Sequence, residues 1–317
     1  MAHTERQFLV TGGAGFIGSH LTRFLLQHGR VRVLDDLSTG SLDNLREVMD
    51  AIEFIRGSVA DPDAVNEAVD GCAMVFHLAA QVSVPLSMEQ PTETFEVNVY
   101  GTQCLLEAAR RAGCERFVFA SSAAVYGDSP RLPKREGMRP APISPYGWSK
   151  HYGELLCHDY WRVFGAPTVC FRFFNVYGPR QNPRSQYAAV VPRWITAALT
   201  DRKPIIFGDG KQVRDFIYID DLIQGIWLGA THPEAVGKVF NLASGARYTL
   251  LELLRAIEQA VGYPLQPEYQ PPRAGDIRRS YADIRLIQRT LGYQPRYSLQ
   301  EGIRRTVEAY QKEAVLV

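Results

Sequence analysis

Gly12, Gly15 and Gly18 follow directly on an apolar run, Gln7–Thr11, and precede residues with helical spacing, Phe16–His28. This GxxGxxG turn between a buried strand and a helix constrains the fold more than any other feature of the chain. Each glycine answers a separate need. Gly12 allows the tight turn, Gly15 lets the backbone approach a pyrophosphate, and Gly18 permits close packing of helix on sheet. The helix behind the turn offers its N-terminal N–H groups and positive dipole end to a phosphate.

Spacing alone would fit a glycine-rich structural turn, but the second strand, Val31–Asp35, closes on a carboxylate. An acidic residue there hydrogen-bonds the adenosine ribose hydroxyls and repels a 2′-phosphate, so NAD is the expected cofactor rather than NADP. Further apolar, β-branched runs at Ala51–Gly57, Met74–Ala79, Arg116–Ser121 and Thr168–Phe173 read as buried strands. Helical stretches separate them at Pro62–Val69, Pro91–Ala112 and Tyr146–Phe164, with Asp61-Pro62 marking a capped helix start. Alternating strands and helices with right-handed crossovers predict an α/β fold with a doubly wound parallel sheet of Rossmann type. Beyond Asn175 lie a helix near Val191–Thr200, strands at Pro204–Phe207, Arg214–Ile219 and Val239–Leu242, a Pro-rich stretch, then mostly helix. A chain of 317 residues exceeds one core of roughly 250–300. We therefore expect an NAD-binding domain over 1–178 with 213–243, and a smaller C-terminal substrate-binding lobe over 179–212 with 244–317.

Composition narrows the function classes. The 35 basic residues nearly cancel the 34 acidic ones, which argues against a nucleic-acid or anionic-membrane binder. No run reaches the about 18 apolar residues of a membrane span, and no secretory leader is expected, so the expected location is cytoplasmic. Cys72, Cys104, Cys114, Cys157 and Cys170 include no CxxC pair and read as reduced thiols. No HExxH occurs; His77 reads as a core residue, and His151 and His158 are seven apart without carboxylate partners, so no metal is expected. Asp220-Asp221 reads as a helix cap rather than a ligand pair.

A second constellation joins Ser122 to Tyr146 and Lys150. Residues four apart share a helix face, so phenol and ammonium can point to one spot. A nearby ammonium, together with a positive nicotinamide, favours the phenolate and lowers the tyrosine pKa. A YxxxK pair occurs on many surface helices; here Phe119–Ser122 also ends a strand at the expected cofactor edge.

With these motifs in order, the chain resembles the extended short-chain dehydrogenases/reductases, and among them the NAD-dependent nucleotide-sugar epimerases typified by UDP-glucose 4-epimerase. The likeness runs from Gly12 to about Asp283 through GGAGFIG, HLAA (His77–Ala80), Asn98, SSAAVYG (Ser121–Gly127), YGWSK, RFFNVYGPR (Arg172–Arg180), GDGKQVRDFIYIDD (Gly208–Asp221) and RAGDIRRSYAD (Arg273–Asp283). The resemblance implies cofactor contacts at Phe16, Ile17, Asp35, Asp36, Leu78, Ala79, Ala80, Asn98, Lys150 and Phe174. Ser58 and Val59 fall at the adenine end, with Ser58 replacing the usual Asp, and Val82 replaces a lysine found near the cofactor in the best-known member. It also implies Tyr146 as base, Ser122 as its partner on the sugar 4-hydroxyl, and Asn175, Arg214 and Arg273 on the nucleotide diphosphate. Ser280 takes the position bordering the hexose, where tyrosine restricts the pocket and serine leaves room for a 2-acetamido group.

Within the family, 4,6-dehydratases carry Asp-Glu after the catalytic hydroxyl, and glucuronate decarboxylases a Glu just before VYG. This chain has Ala123-Ala124. UDP-glucuronate 4-epimerases usually add hydroxyls at these positions. The expected activity is therefore a UDP-hexose 4-epimerase. UDP-glucuronate 4-epimerase or another nucleotide-sugar enzyme is the alternative, and a catalytically silent NAD-binding sensor the reading from a different class. The family likeness further implies a homodimer through the helices at Pro91–Ala112 and Tyr146–Phe164. Leu105, Leu106, Leu155, Leu156, Tyr160 and Trp161 are its candidate apolar residues.

Overall fold

The structure is a computed structural model that describes residues 6–183, 189–272 and 277–315. Six strands appear before residue 174: β1 (Gln7–Thr11), β2 (Arg30–Asp35), β3 (Ile52–Arg56), β4 (Met74–His77), β5 (Arg116–Ser122) and β6 (Thr168–Phe173). Short strands follow: β7 (Asn175–Tyr177), β8 (Ile205–Phe207), β9 (Val213–Arg214), β10 (Phe216–Tyr218), β11 (Val239–Leu242), β12 (Tyr248–Thr249), β13 (Glu268–Gln270) and β14 (Arg279–Ser280).

Seven strands make one parallel sheet in the order β11-β6-β5-β4-β1-β2-β3. Alternate residues along β1 feed opposite cores: Phe8 and Val10 face the layer holding the helices Phe16–Leu25 and Ile219–Thr231. Leu9 faces the layer with Pro62–Val69 and Gly101–Arg111. That period of two, with both faces covered, is why these strands are apolar throughout. The chain reverses its winding between β1 and β4, which opens a crevice at the strands' carboxyl ends.

Four sequence expectations are corrected by packing. The strand expected to run to Ala79 stops at His77, because Leu78–Ala80 leave the sheet beside the Gly12 turn. The strand expected over Arg214–Ile219 breaks at Asp215: β9 joins β12 and β14, whereas β10 pairs with β7. Within Pro91–Ala112 the helix widens into a π turn at Glu96–Tyr100. Asp220 and Asp221 lie in the first turn of Ile219–Thr231 but do not cap it; Asp221 accepts N–H bonds from Arg296 and Tyr297 and so ties down the C-terminal segment.

A short helix that the sequence pattern did not reveal, Val84–Glu89, is capped by Ser83 and has Pro85 in its first turn. Leu105 and Leu106, named above as candidates for an intersubunit face, are buried within the subunit. Tyr100, Trp148, Tyr152 and Leu155 are exposed on those helices instead, as are Val163 and Phe164 at the far end of the second. No helix among the described residues is long and apolar enough to cross a membrane.

Candidate active site

The glycine turn sits at the switch point. Gly12 has φ +70°, and a Cβ on it would lie 2.8 Å from the Ala79 nitrogen. One on Gly18 would lie 2.1 Å from the Gly12 oxygen. Gly15 begins the helix Phe16–Leu25 in extended conformation with no side-chain cap, leaving the helix start open to an anion. Asp35 is buried, and its two carboxylate oxygens accept from Ala14 N (2.8 Å) and Leu37 N (2.9 Å). It therefore braces the turn as well as ending β2. Burial raises its pKa, against the pull of those two N–H bonds. Asp36 is exposed and receives Ser38 N.

His77 is held between Thr11 (2.8 Å) and Thr102 (2.9 Å), fully buried, with its pKa depressed by desolvation to about 3. It is a neutral core group, as its strand position implies. Thr11 also receives Ala79 N, fixing Leu78–Ala80 over the turn. Asn98, inside the π turn, accepts Gln81 N at 2.8 Å and donates to Gln81 O and to Ser149 Oγ (2.9 Å). It joins the cleft wall to the helix Pro145–Phe164. At the other end, Ser58 receives Ala60 N while Val59 is buried against Gly101; Val82 is exposed. Phe174 is buried beside the Tyr126 ring.

Ser122 ends β5, and its hydroxyl accepts Ala124 N at 3.1 Å. Tyr146 enters from the first turn of Pro145–Phe164, where Ser144 caps the helix and Ser87 receives the Tyr146 N–H. Lys150, one turn on, is buried and donates to Ala120 O at 2.9 Å, with its nitrogen 5.9 Å from the Tyr146 ring centre. The expected effect of the lysine on the tyrosine is not realised by the protein alone. Burial raises the Tyr146 pKa, and the Ser122 hydroxyl offsets only part of that rise. Burial also lowers Lys150 to about 8. Desolvation is the larger influence on the phenol. His151 also differs from expectation: a carboxylate, Glu154, lies 3.8 Å from its Nδ1.

Asn175 and Arg214 come together with Ser280 across Asp215. Asn175 donates from its side chain to Asp215 O at 3.0 Å, and Ser280 is the register partner of Arg214 in the β14/β9 pair. Arg273 lies outside the described residues. Sequence reasoning missed Asp215, Ser87 and Ser149; Asp215 and Ser149 stand inside quoted motifs, whereas Ser87 carries no signal at all. Among the described residues no group of three or more His, Cys, Asp or Glu side chains is arranged to hold a metal.

A phosphate-binding turn at the switch point of this sheet, with a half-buried Tyr and a buried Lys on the neighbouring helix, defines a dinucleotide-dependent enzyme of the Rossmann class. Residues 8–243 match the NAD dependent epimerase/dehydratase family, and the chain belongs to that family. A UDP-glucose 4-epimerase of Mycolicibacterium smegmatis is 41% identical over 311 residues, covering 96% of this chain and 99% of that one. The UDP-N-acetylglucosamine 4-epimerase of Methanobrevibacter ruminantium, solved with UDP-N-acetylmuramic acid, superimposes with a TM-score of 0.94 at 34% identity, over 98% of this chain and 99% of that one. The UDP-glucose 4-epimerase of Thermus thermophilus, solved with NAD, has a TM-score of 0.86 at 37% identity, over 96% and 99%. NAD is the cofactor, and the residues fit it: the Gly12 and Gly18 positions admit no side chain, the helix start lacks a cap, and Asp35 closes β2.

Proposed function

We propose that the protein is a UDP-hexose 4-epimerase, interconverting UDP-Glc with UDP-Gal and UDP-GlcNAc with UDP-GalNAc through a 4-keto sugar. The observation carrying this reading is the convergence of Ser122, Tyr146 and Lys150 at the crevice, with Ala123-Ala124 supplying no second acid or base. The 41% identity to a UDP-glucose 4-epimerase supports it. Bound NAD supplies the acceptor, and later the donor, of the hydride. Tyr146 takes the proton of the sugar 4-hydroxyl and returns it after the keto sugar has turned over, and Ser122 hydrogen-bonds the same oxygen. Lys150 holds the nicotinamide ribose and favours the phenolate. Phe16, Ile17, Asp36, Ser58, Val59, Leu78 to Ala80, Asn98 and Phe174 line the cofactor's length. Asn175, Arg214 and Arg273 grip the diphosphate, arginine forks pairing phosphate oxygens bidentately. Ser280 borders the hexose with a small side chain. In this reading the NAD-binding part comprises 1–178 with 213–243, and the substrate lobe the remainder.

We also propose a homodimer through the exposed Tyr100, Trp148, Tyr152 and Leu155. These residues leave an apolar face on two adjacent helices, Gly101–Arg111 with its π turn and Pro145–Phe164.

The test is a panel of UDP-Glc, UDP-Gal, UDP-GlcNAc, UDP-GalNAc and UDP-GlcA with chromatography of the products. Turnover of both neutral pairs is expected. Turnover of UDP-GlcA alone would assign the glucuronate activity, and no turnover of any sugar would leave the silent sensor.

A further inference from the structure

Asp215 is fully buried between β9 and β10, and among the described residues its carboxylate is met by hydrogen-bond donors and by no cation. Its Oδ1 accepts Ser244 N (2.9 Å) and Ser244 Oγ (2.6 Å); its Oδ2 accepts Gly245 N (3.1 Å) and Ala282 N (3.3 Å). The same residue's backbone does a second job. Its N–H donates to Ser280 O at 3.1 Å, and its carbonyl accepts both the N–H (3.1 Å) and the side-chain amide (3.0 Å) of Asn175. Arg214 precedes it in the chain and pairs with Ser280 in register. Asn175, Arg214 and Ser280, which come from three distant parts of the chain, are thus all referenced to one residue.

We infer that Asp215 is the positioning residue of the substrate pocket: its carboxylate locks the loop Ser244–Gly245 and the segment at Ala282, so that the diphosphate grip and the hexose border keep a fixed spacing. The inference rests on the roles proposed above for Asn175, Arg214 and Ser280. A carboxylate suits this place because all four groups facing it are donors and it can only accept. Asparagine has nearly the same shape but turns one oxygen into an NH2 group, which sets donor against donor and abandons the two bonds on that side. The residue touches no reacting atom, so its loss falls on substrate grip and not on proton or hydride transfer.

The experiment compares wild type, Asp215→Asn and Ser244→Ala as purified, NAD-loaded enzymes. KM and kcat are measured for a UDP-sugar that wild type turns over, with UDP as a competitive inhibitor. Asp215→Asn should raise KM at least about tenfold and weaken UDP inhibition in step, with kcat within about threefold and NAD content unchanged. Ser244→Ala, which removes one donor and leaves the carboxylate, should move KM the same way by about threefold. A folded Asp215→Asn enzyme with KM within twofold of wild type, or with kcat lost at unchanged KM, would overturn the inference. Should that variant not fold, Ser244→Ala decides, and an unchanged KM there overturns it. Absence of turnover in wild type on every UDP-sugar would instead count against the proposed function.

Discussion

Arg172 and Glu154 meet inside the subunit, two guanidinium nitrogens on two carboxylate oxygens at 2.8 and 2.7 Å, with about 4–5% of either side chain exposed. Glu154 also receives the Ser121 hydroxyl at 2.5 Å, and the Arg172 guanidinium lies over the Tyr126 ring. Burial pushes Glu154 up, but the arginine overcomes it and holds the carboxyl below its usual range. Ser121 precedes Ser122, and Glu154 lies one turn beyond Lys150, so the pair braces both sides of the candidate site. Removing one partner strands a buried charge, so Glu154→Ala should cost about 3–5 kcal/mol. Urea denaturation checks this; replacing both residues by methionine should recover part of the loss, and a double variant no better than the single would contradict it.

Tyr146→Phe should lower epimerisation by about 10²–10⁴-fold, because the phenol is the proton carrier in the proposed chemistry. NAD content, read by absorbance after denaturation, should not change. Turnover above a tenth of wild type would put the base elsewhere.

The pH profile follows from desolvation. Lys150 is held at about 8, so its ammonium is present below that pH and is lost as pH rises through it. With NAD bound, as the proposed function has it, that charge acts together with the positive nicotinamide in favour of the Tyr146 phenolate, so kcat/KM should decline above about pH 8. In Lys150→Met the phenol loses this help, its pKa rises, and the ascending limb should move to higher pH. An ascending limb unmoved in that variant would remove the lysine from the proton chemistry.

Ser280→Tyr should lose UDP-GlcNAc and UDP-GalNAc while keeping the plain hexoses. A phenol ring cannot share space with an acetamido group without overpacking, typically about 1–3 kcal/mol. Rates on all four sugars decide it: equal loss on both pairs would mean general damage rather than a changed border.

Leu155→Glu tests the proposed dimer. The side chain is 44% exposed, so the subunit should fold unchanged. Light scattering at micromolar concentration should report a dimer for wild type and a monomer for the variant; a wild-type monomer refutes the assembly.

The main sheet is legible because its strands are continuous apolar runs bounded by turns. Gln7–Thr11, Thr168–Phe173 and Val239–Leu242 begin and end in the structure where the pattern places them. The strands β9, β12 and β14, outside the main sheet, have two residues each, too few to display any period. Motif residues such as Ser122, Tyr146 and Lys150 are readable because their spacing is local. Asp215 is not, because its carboxylate finds its partners 29, 30 and 67 residues away. The raised Tyr146 pKa is likewise a property of burial, which no four-residue motif displays.

The π turn at Glu96–Tyr100 makes chain length itself part of the design. Such a turn holds one residue more than its α-helical neighbours. Deleting that residue would wind the segment back to regular helix and rotate everything before it by about 100° relative to Gly101–Arg111. Asn98 has to face Gln81 and Ser149 at the same time, and a shift in phase breaks both contacts even though no side chain has been replaced. A survey of single-residue deletions would then find a short forbidden stretch here. Tolerance of a changed letter and tolerance of a missing one come apart at this point in the chain.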